Sequence, residues 1–206
     1  MPLQNRVTPF GEIVAHPARG LFMGNRGILH EAGRRLHPTR RWAHKAWICC
    51  LCEFRGRHRT VMTPGRYTEL FFLDEATALA AGHRPCFECR RADARRFAAA
   101  WADGNGGLRP TARDMDTVLH AERLDGKTKR LHPLPASPDP LPDGAMVAAE
   151  GRAWLVRDGR FLPWSFEGYG AAADKLSSLS LLTPPSIVSA LAAGYRPALH
   201  PSASGD

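Results

Sequence analysis

No apolar run in this 206-residue chain approaches the eighteen or so residues that a membrane-spanning helix needs. Its first residues, MPLQNRVTPFGEIVAH, lack a basic head followed by an apolar core, so no secretory leader is expected. Cysteine is missing from most of the chain: all five lie between Cys49 and Cys89. Such clustering argues against a dispersed disulfide framework and suits a metal in a reducing, cytoplasmic compartment. Gly20, Gly24 and Gly27 match no phosphate-loop pattern and read first as turn residues around a short strand in GLFMGNRGILH. Acid is scarce from residue 34 to 60, where Glu53 stands alone. With 44% hydrophobic and 23% charged residues the composition excludes a disordered chain, and the length allows one large or two small domains.

The cysteines carry the clearest chemistry. Cys49 and Cys52 are separated by two residues, as are Cys86 and Cys89, and Cys50 lies inside the first pair. Two intervening residues let both sulfurs turn toward one ion, and two such pairs complete a tetrahedron of thiolates, which suits zinc. The expected ligands are Cys49, Cys52, Cys86 and Cys89, with Cys50 as the alternate. Between the pairs, Tyr67–Leu73 reads as a buried strand. A helix follows, with Asp74 and Glu75 at its start, Ala76–Ala81 as its body, Gly82 as a left-handed cap and Pro85 as a stop.

The run AAGHRPCFECRR at 80–91, with the strand and acidic helix start before it, resembles the zinc-binding, methyl-accepting domain of the Ada DNA-repair protein. The likeness spans residues 49–91. It implies that Cys86 and Cys89 bind zinc, and that the first ligand of the first pair is a nucleophile accepting a methyl group from a DNA phosphotriester. That family spaces its first two ligands three residues apart. Here Cys49, Cys50 and Cys52 offer shorter gaps, so the choice among them stays open.

Residues 1–100 hold 17 Lys and Arg against 8 Asp and Glu, whereas residues 101–206 hold 11 against 12. The excess is concentrated in Arg34, Arg35, Arg40, Arg41, Lys45, Arg55, Arg57 and Arg59, interleaved with Trp42 and Trp47. Guanidinium groups grip phosphates in two-point fashion and tryptophans stack on bases, so this stretch is the candidate nucleic-acid surface, with DNA as the expected partner. A solvated basic face with no such partner is the plain alternative.

ADARRFAAAWA at 92–102 is helical, DGNGG at 103–107 breaks it, and a further helix is expected over 112–122. There Asp116, His120 and Glu122 lie close to Arg123, Lys127, Lys129 and Arg130, a set able to hold a divalent ion and a phosphate, as in a nuclease. A surface helix laced with ion pairs is the competing reading. Residues 131–143 carry five prolines and read as an extended linker. Three apolar runs, 145–149, 153–156 and 161–164, separated by Glu150-Gly151 and Asp158-Gly159, form a meander with Trp154 and Trp164 in its core. A last helix begins at Thr183-Pro-Pro. It ends in ALAAGYRP, echoing ALAAGHRP at 78–85, as two helices stopped by the same glycine cap and proline would.

These readings describe an α+β protein with a basic zinc-binding unit over 1–107 and a unit of helices and meander over 108–206, the two able to pack as one domain. The function expected first is zinc-dependent nucleic-acid binding in DNA repair or processing. A metal-dependent nuclease using Asp116, His120 and Glu122, or a zinc-stabilised interaction protein, are the alternatives.

Overall fold

The computed structural model describes residues 1–57, 60–136 and 140–204, and contains both helices and sheets, an α+β fold. The first sheet is built from β1 (Gln4–Val7), β2 (Ile13–Ala15), β3 (Phe22–Asn25), β4 (Ile48–Leu51), β5 (Leu70–Phe72) and β6 (Arg84–Pro85). Their order is β2-β1-β5-β3-β4-β6, with β1–β5 and β4–β6 parallel. Gly24 is needed at the centre of this sheet. A Cβ there would stand 2.1 Å from the Ile48 carbonyl oxygen and 2.9 Å from the Phe72 ring. One at Gly20 would stand 1.9 Å from the Phe72 carbonyl oxygen. These two glycines therefore serve close backbone approach rather than turns.

Helix α1 (Glu75–Ala80) follows β5 directly, its N-terminus capped by Asp74, whose carboxylate accepts from the Thr77 N–H at 2.9 Å. Every residue of α1 is buried. Because its body is nearly all small, α1 fits between the two sheets: Ala78 and Ala81 pack with Val7, Leu70 and Phe72, while Ala76 and Ala80 pack with Met146, Leu155 and Leu162. Gly82 ends it at φ +84°, and the His83 N–H returns to the Ala78 carbonyl.

Helices α2 (Arg91–Gly104) and α3 (Ala112–Arg123) come next, followed by a small hairpin of β7 (Leu124–Asp125) and β8 (Thr128–Lys129). A capping box at Thr111 and Asp114 sets the start of α3. The second sheet comprises β9 (Met146–Ala149), β10 (Arg152–Arg157), β11 (Arg160–Pro163) and β12 (Ser180–Leu181), in the order β11-β10-β9-β12. Its two hairpin turns take positive φ at both central residues, +52° and +73° at Glu150-Gly151 and +49° and +72° at Asp158-Gly159, the conformation that matches strand twist. Helix α4 (Pro185–Ala192) starts on Pro185 and ends at Gly194, φ +102°, with the Tyr195 N–H returning to Ala190. Both copies of the repeated octapeptide thus make the same helix stop.

The hydrophobic interior crosses the expected boundary at 107/108. Phe97 and Trp101 of α2 pack in one cluster with Met115 and Leu119 of α3, Ile187 and Leu191 of α4, and Val147 and Trp154 of the second sheet. Trp164 is half-buried and donates from Nε1 to the Thr77 hydroxyl at 3.0 Å. Of the proline-rich stretch, residues 137–139 lie outside the described residues, and His132 is tied in by backbone bonds to Leu181. Among the described residues no helix is long and apolar enough to cross a membrane.

Candidate metal centre

Trp47-Ile-Cys-Cys-Leu51 is an apolar run, and its last four residues form β4 rather than a knuckle. Successive residues of a strand face opposite ways, which separates neighbouring cysteines. Cys49 turns into the core beside Phe22, Leu70 and Phe72 with no exposed surface. Its Sγ accepts a 3.5 Å bond from Arg90 Nη1, whose Nη2 reaches Glu75 at 2.7 Å. Burial pushes the Cys49 thiol well up, with Arg90 opposing. Cys50 faces the other way.

On that face the parallel pairing of β4 with β6, closed by the Cys86 N–H to Cys49 carbonyl bond at 2.9 Å, brings the second cysteine pair alongside. Cys86–Cys89 forms a turn immediately before α2, held by the Arg90 N–H to Cys86 carbonyl bond. The sulfurs of Cys50, Cys86 and Cys89 all lie within 4.8 Å of one another. Three thiolates on one zinc stand about 3.8 Å apart, given zinc–sulfur bonds of about 2.3 Å in a tetrahedron, so a small contraction suffices. Backbone N–H groups already point at two of the sulfurs: Glu88 at Cys86 and Leu51 at Cys89, both at 3.4 Å. Such bonds favour the thiolate form that a metal needs. Hydrogen bonds from Cys50 and then Cys89 hold the Cys86 thiol far below its ordinary value, and bonding to Cys86 raises that of Cys50.

This corrects the first-choice ligand set. Cys86 and Cys89 meet Cys50, the alternate, while Cys49 is on the opposite face. Cys52 lies past the end of β4, exposed, its Sγ 3.5 Å from the Leu21 carbonyl oxygen. It does line the same cavity of about 210 Å³ as the three clustered sulfurs, together with Phe54, Arg57, Tyr67 and Glu69. The centre therefore has three converging sulfurs and an open side.

The acid and imidazole run on α3 is not brought together. Asp116 is buried and accepts two bonds from Arg84, from Nε and Nη2, both at 2.8 Å. His120 Nδ1 meets Arg123 Nη2 at 3.0 Å and its ring lies edge-on to Trp42. Glu122 caps α4 through the Ser186 hydroxyl at 2.6 Å and the Ser186 N–H at 3.2 Å. Each polar side chain has a separate partner, and among the described residues the three do not form a group whose ligand atoms lie within 4.8 Å of one another.

Of the basic stretch, Arg34, Arg35, Arg40, Lys45, Arg55 and Arg57 are exposed. Arg41 is half-buried and donates to the His37 and Pro38 carbonyls, at 3.0 and 2.8 Å. Arg57 pairs with Glu88 at 2.9 Å, beside the metal-site turn. Arg59 lies outside the described residues. Compared with family models, with curated proteins and with solved structures, the chain matches none at a significant level.

Proposed function

We propose that this is a zinc-dependent nucleic-acid-binding protein acting on DNA. Zinc is held by Cys50, Cys86 and Cys89 and completed on its open side by Cys52 or by an outside ligand. The observation that carries the reading is the convergence of three sulfurs within 4.8 Å at the junction of β4, β6 and α2, where one ion would tie the strands to the helix. The exposed Arg34, Arg35, Arg40, Lys45 and Arg55 supply a phosphate-facing surface with few acids among them.

The test has two arms. Elemental analysis of the purified protein is expected to give about one zinc per chain. DNA titrated at rising salt should bind with a steep salt dependence that weakens when Arg35 and Arg40 are reversed to Glu. Zinc without DNA binding at low salt would leave a zinc-stabilised interaction protein. The open side favours a second reading, because a three-thiolate zinc adjoining a cavity leaves its sulfurs accessible to an electrophile. The Ada likeness then points to Cys50 as the methyl acceptor. Its sulfur would form the S–C bond as the methyl C–O bond of a phosphotriester breaks and a phosphodiester leaves. Incubation with DNA carrying methylated phosphates, followed by peptide mass spectrometry, reads this directly: a methyl group on Cys50 supports it, and an unmodified peptide removes it.

A further inference from the structure

A second cavity, of about 380 Å³, opens between the β1–β2 turn, the basic stretch and the β7–β8 hairpin. Its wall carries Arg26, Arg123 and Lys129, with Arg41, Trp42 and Lys127 also lining it. Arg26 and Arg123 are only 2% and 1% exposed. Their guanidinium carbons lie 4.0 and 3.8 Å from the Trp47 ring centroid. Arg26 donates to the Gly11 carbonyl at 2.9 Å and to His83 Nε2 at 3.3 Å, and Arg123 to the Gly82 and Lys45 carbonyls at 2.9 and 2.7 Å. Lys129 donates to the Ala80 carbonyl at 2.6 Å.

Every one of these partners is neutral. Among the described residues no carboxylate stands in an ion pair with Arg26, Arg123 or Lys129. The nearby acids are engaged elsewhere, Asp116 with Arg84 and Glu122 with Ser186; Glu12 lines the cavity but is exposed. Two buried nitrogens, Arg26 Nη2 and Arg123 Nε, have no hydrogen-bond partner among the described residues. His83, which faces Arg26, is fully buried and held neutral, its pKa pushed well down by burial and then by Arg26 and Arg123.

Burying a cation without a counter-charge costs more than a cation–π contact returns. The cluster is thus an electrostatic deficit built into the interior around an open cavity. Gly82 is shaped for it, since a Cβ there would stand 2.6 Å from Arg123 Cδ and block the side chain's path. We infer that this cavity is a binding site for a phosphate monoester, its dianion lodged among Arg26, Arg123 and Lys129, with Trp42 and the outer cations Arg41 and Lys127 at hand for the rest of the ligand. A dianion answers several cations at once, guanidinium groups match its oxygens, and the volume suits a nucleotide-sized molecule. The monoester has two possible sources, a free nucleotide or the phosphorylated 5′ end of a strand. The site shares no ligand with the metal centre.

The test measures binding of four probes to the intact protein by calorimetry and by melting temperature: inorganic phosphate, adenosine monophosphate, a 5′-phosphorylated oligonucleotide and its hydroxyl-ended twin. Phosphate and at least one organic monoester are expected to bind and raise the melting temperature. Tighter binding of the mononucleotide identifies a free nucleotide, and tighter binding of the phosphorylated oligonucleotide over its twin identifies a strand end. Arg26→Met and Lys129→Met should each weaken monoester binding about tenfold or more. They should leave the ligand-free melting temperature unchanged or higher, because each removes an uncompensated charge. No binding of any monoester at millimolar concentration would overturn the assignment. So would equal affinity for the two oligonucleotides without phosphate or mononucleotide binding, or undiminished affinity in the Lys129→Met protein, which alters only the hairpin lysine and stays informative if Arg26→Met does not fold.

Discussion

Arg84 grips both carboxylate oxygens of Asp116 at 2.8 Å, joining the residue two places before Cys86 to the middle of α3. The pair is nearly sealed from water, at 5% and 6% exposure, so its geometry resists screening by salt. Replacing Asp116 with Ala leaves a buried guanidinium unpaired and is expected to cost about 3–5 kcal/mol of stability in urea unfolding. The double replacement Arg84→Met, Asp116→Leu should recover most of that loss. A single variant of wild-type stability would show that the pair contributes nothing.

The cysteines should divide by strand face. Cys50→Ser, Cys86→Ser and Cys89→Ser are each expected to lose most of the bound zinc, and Cys49→Ser to retain it while losing stability by about 1–3 kcal/mol through a hydroxyl placed in an apolar core. Cobalt substitution reads the ligand count through its thiolate charge-transfer absorption. Loss of about a quarter of that intensity in Cys52→Ser would make Cys52 the fourth ligand, and no change would leave the open side to an outside ligand.

The spacing of Cys49 and Cys52 suggests a knuckle, but Cys49 and Cys50 are neighbours on β4 and so face opposite ways, while Cys52 falls beyond the strand's end. The signal that decides between them is the apolar run around the cysteines, Trp47-Ile-Cys-Cys-Leu51, whose strand character outweighs the spacing. Local punctuation was far more readable: Asp74 and Gly82 bound α1, and Glu150-Gly151 and Asp158-Gly159 place the meander turns. The cationic cavity was only half visible. Arg123, Lys127 and Lys129 stand near one another in sequence, but Arg26 and Trp47 join them through long-range packing that no local pattern encodes.

The cavity predicts a pH dependence. Burial, followed by the charges of Arg26 and Arg123, lowers Lys129 to about 7, with Glu122 opposing. The unfolded chain keeps that proton up to about pH 10.4. Between these values the unfolded state binds more protons, so Lys129 makes the ligand-free protein gain stability as pH rises from about 7 toward 10, and the gain is absent below 7. Arg26 and Arg123, each lowered to about 9, act in the same direction at the upper end; His83 and His120, both lowered, do so around and below neutrality. A monoester reverses the Lys129 preference, so its binding near pH 8 should take up a proton, seen as a calorimetric heat that varies with buffer ionisation. In Lys129→Met that proton uptake should vanish.

The final prediction concerns the latch that holds the C-terminal segment. Asp74 and Glu75, adjacent at the start of α1, are both buried, and each receives a tyrosine from far along the chain: Tyr169 reaches Asp74 at 2.8 Å and Tyr195 reaches Glu75 at 2.6 Å. Backbone N–H groups of His200 and Ala198 complete the two sites at 3.1 and 2.9 Å. Burial raises the Asp74 pKa while the bonds from Thr77, His200 and Tyr169 lower it, so the carboxylate depends on keeping those donors. Tyr195 stands where His83 stands in the first octapeptide, and there its hydroxyl serves Glu75, which also holds Arg90 behind the metal turn. Tyr169→Phe and Tyr195→Phe are therefore each expected to cost about 1.5–3 kcal/mol, the worth of a hydrogen bond to a buried charge. Hydrogen exchange at the Ala198 and His200 amides should rise in both proteins. If Tyr195→Phe also loosens zinc, the latch and the metal centre are coupled through Arg90; if zinc content and exchange at β4 are unchanged, Glu75 supports only the C-terminal segment.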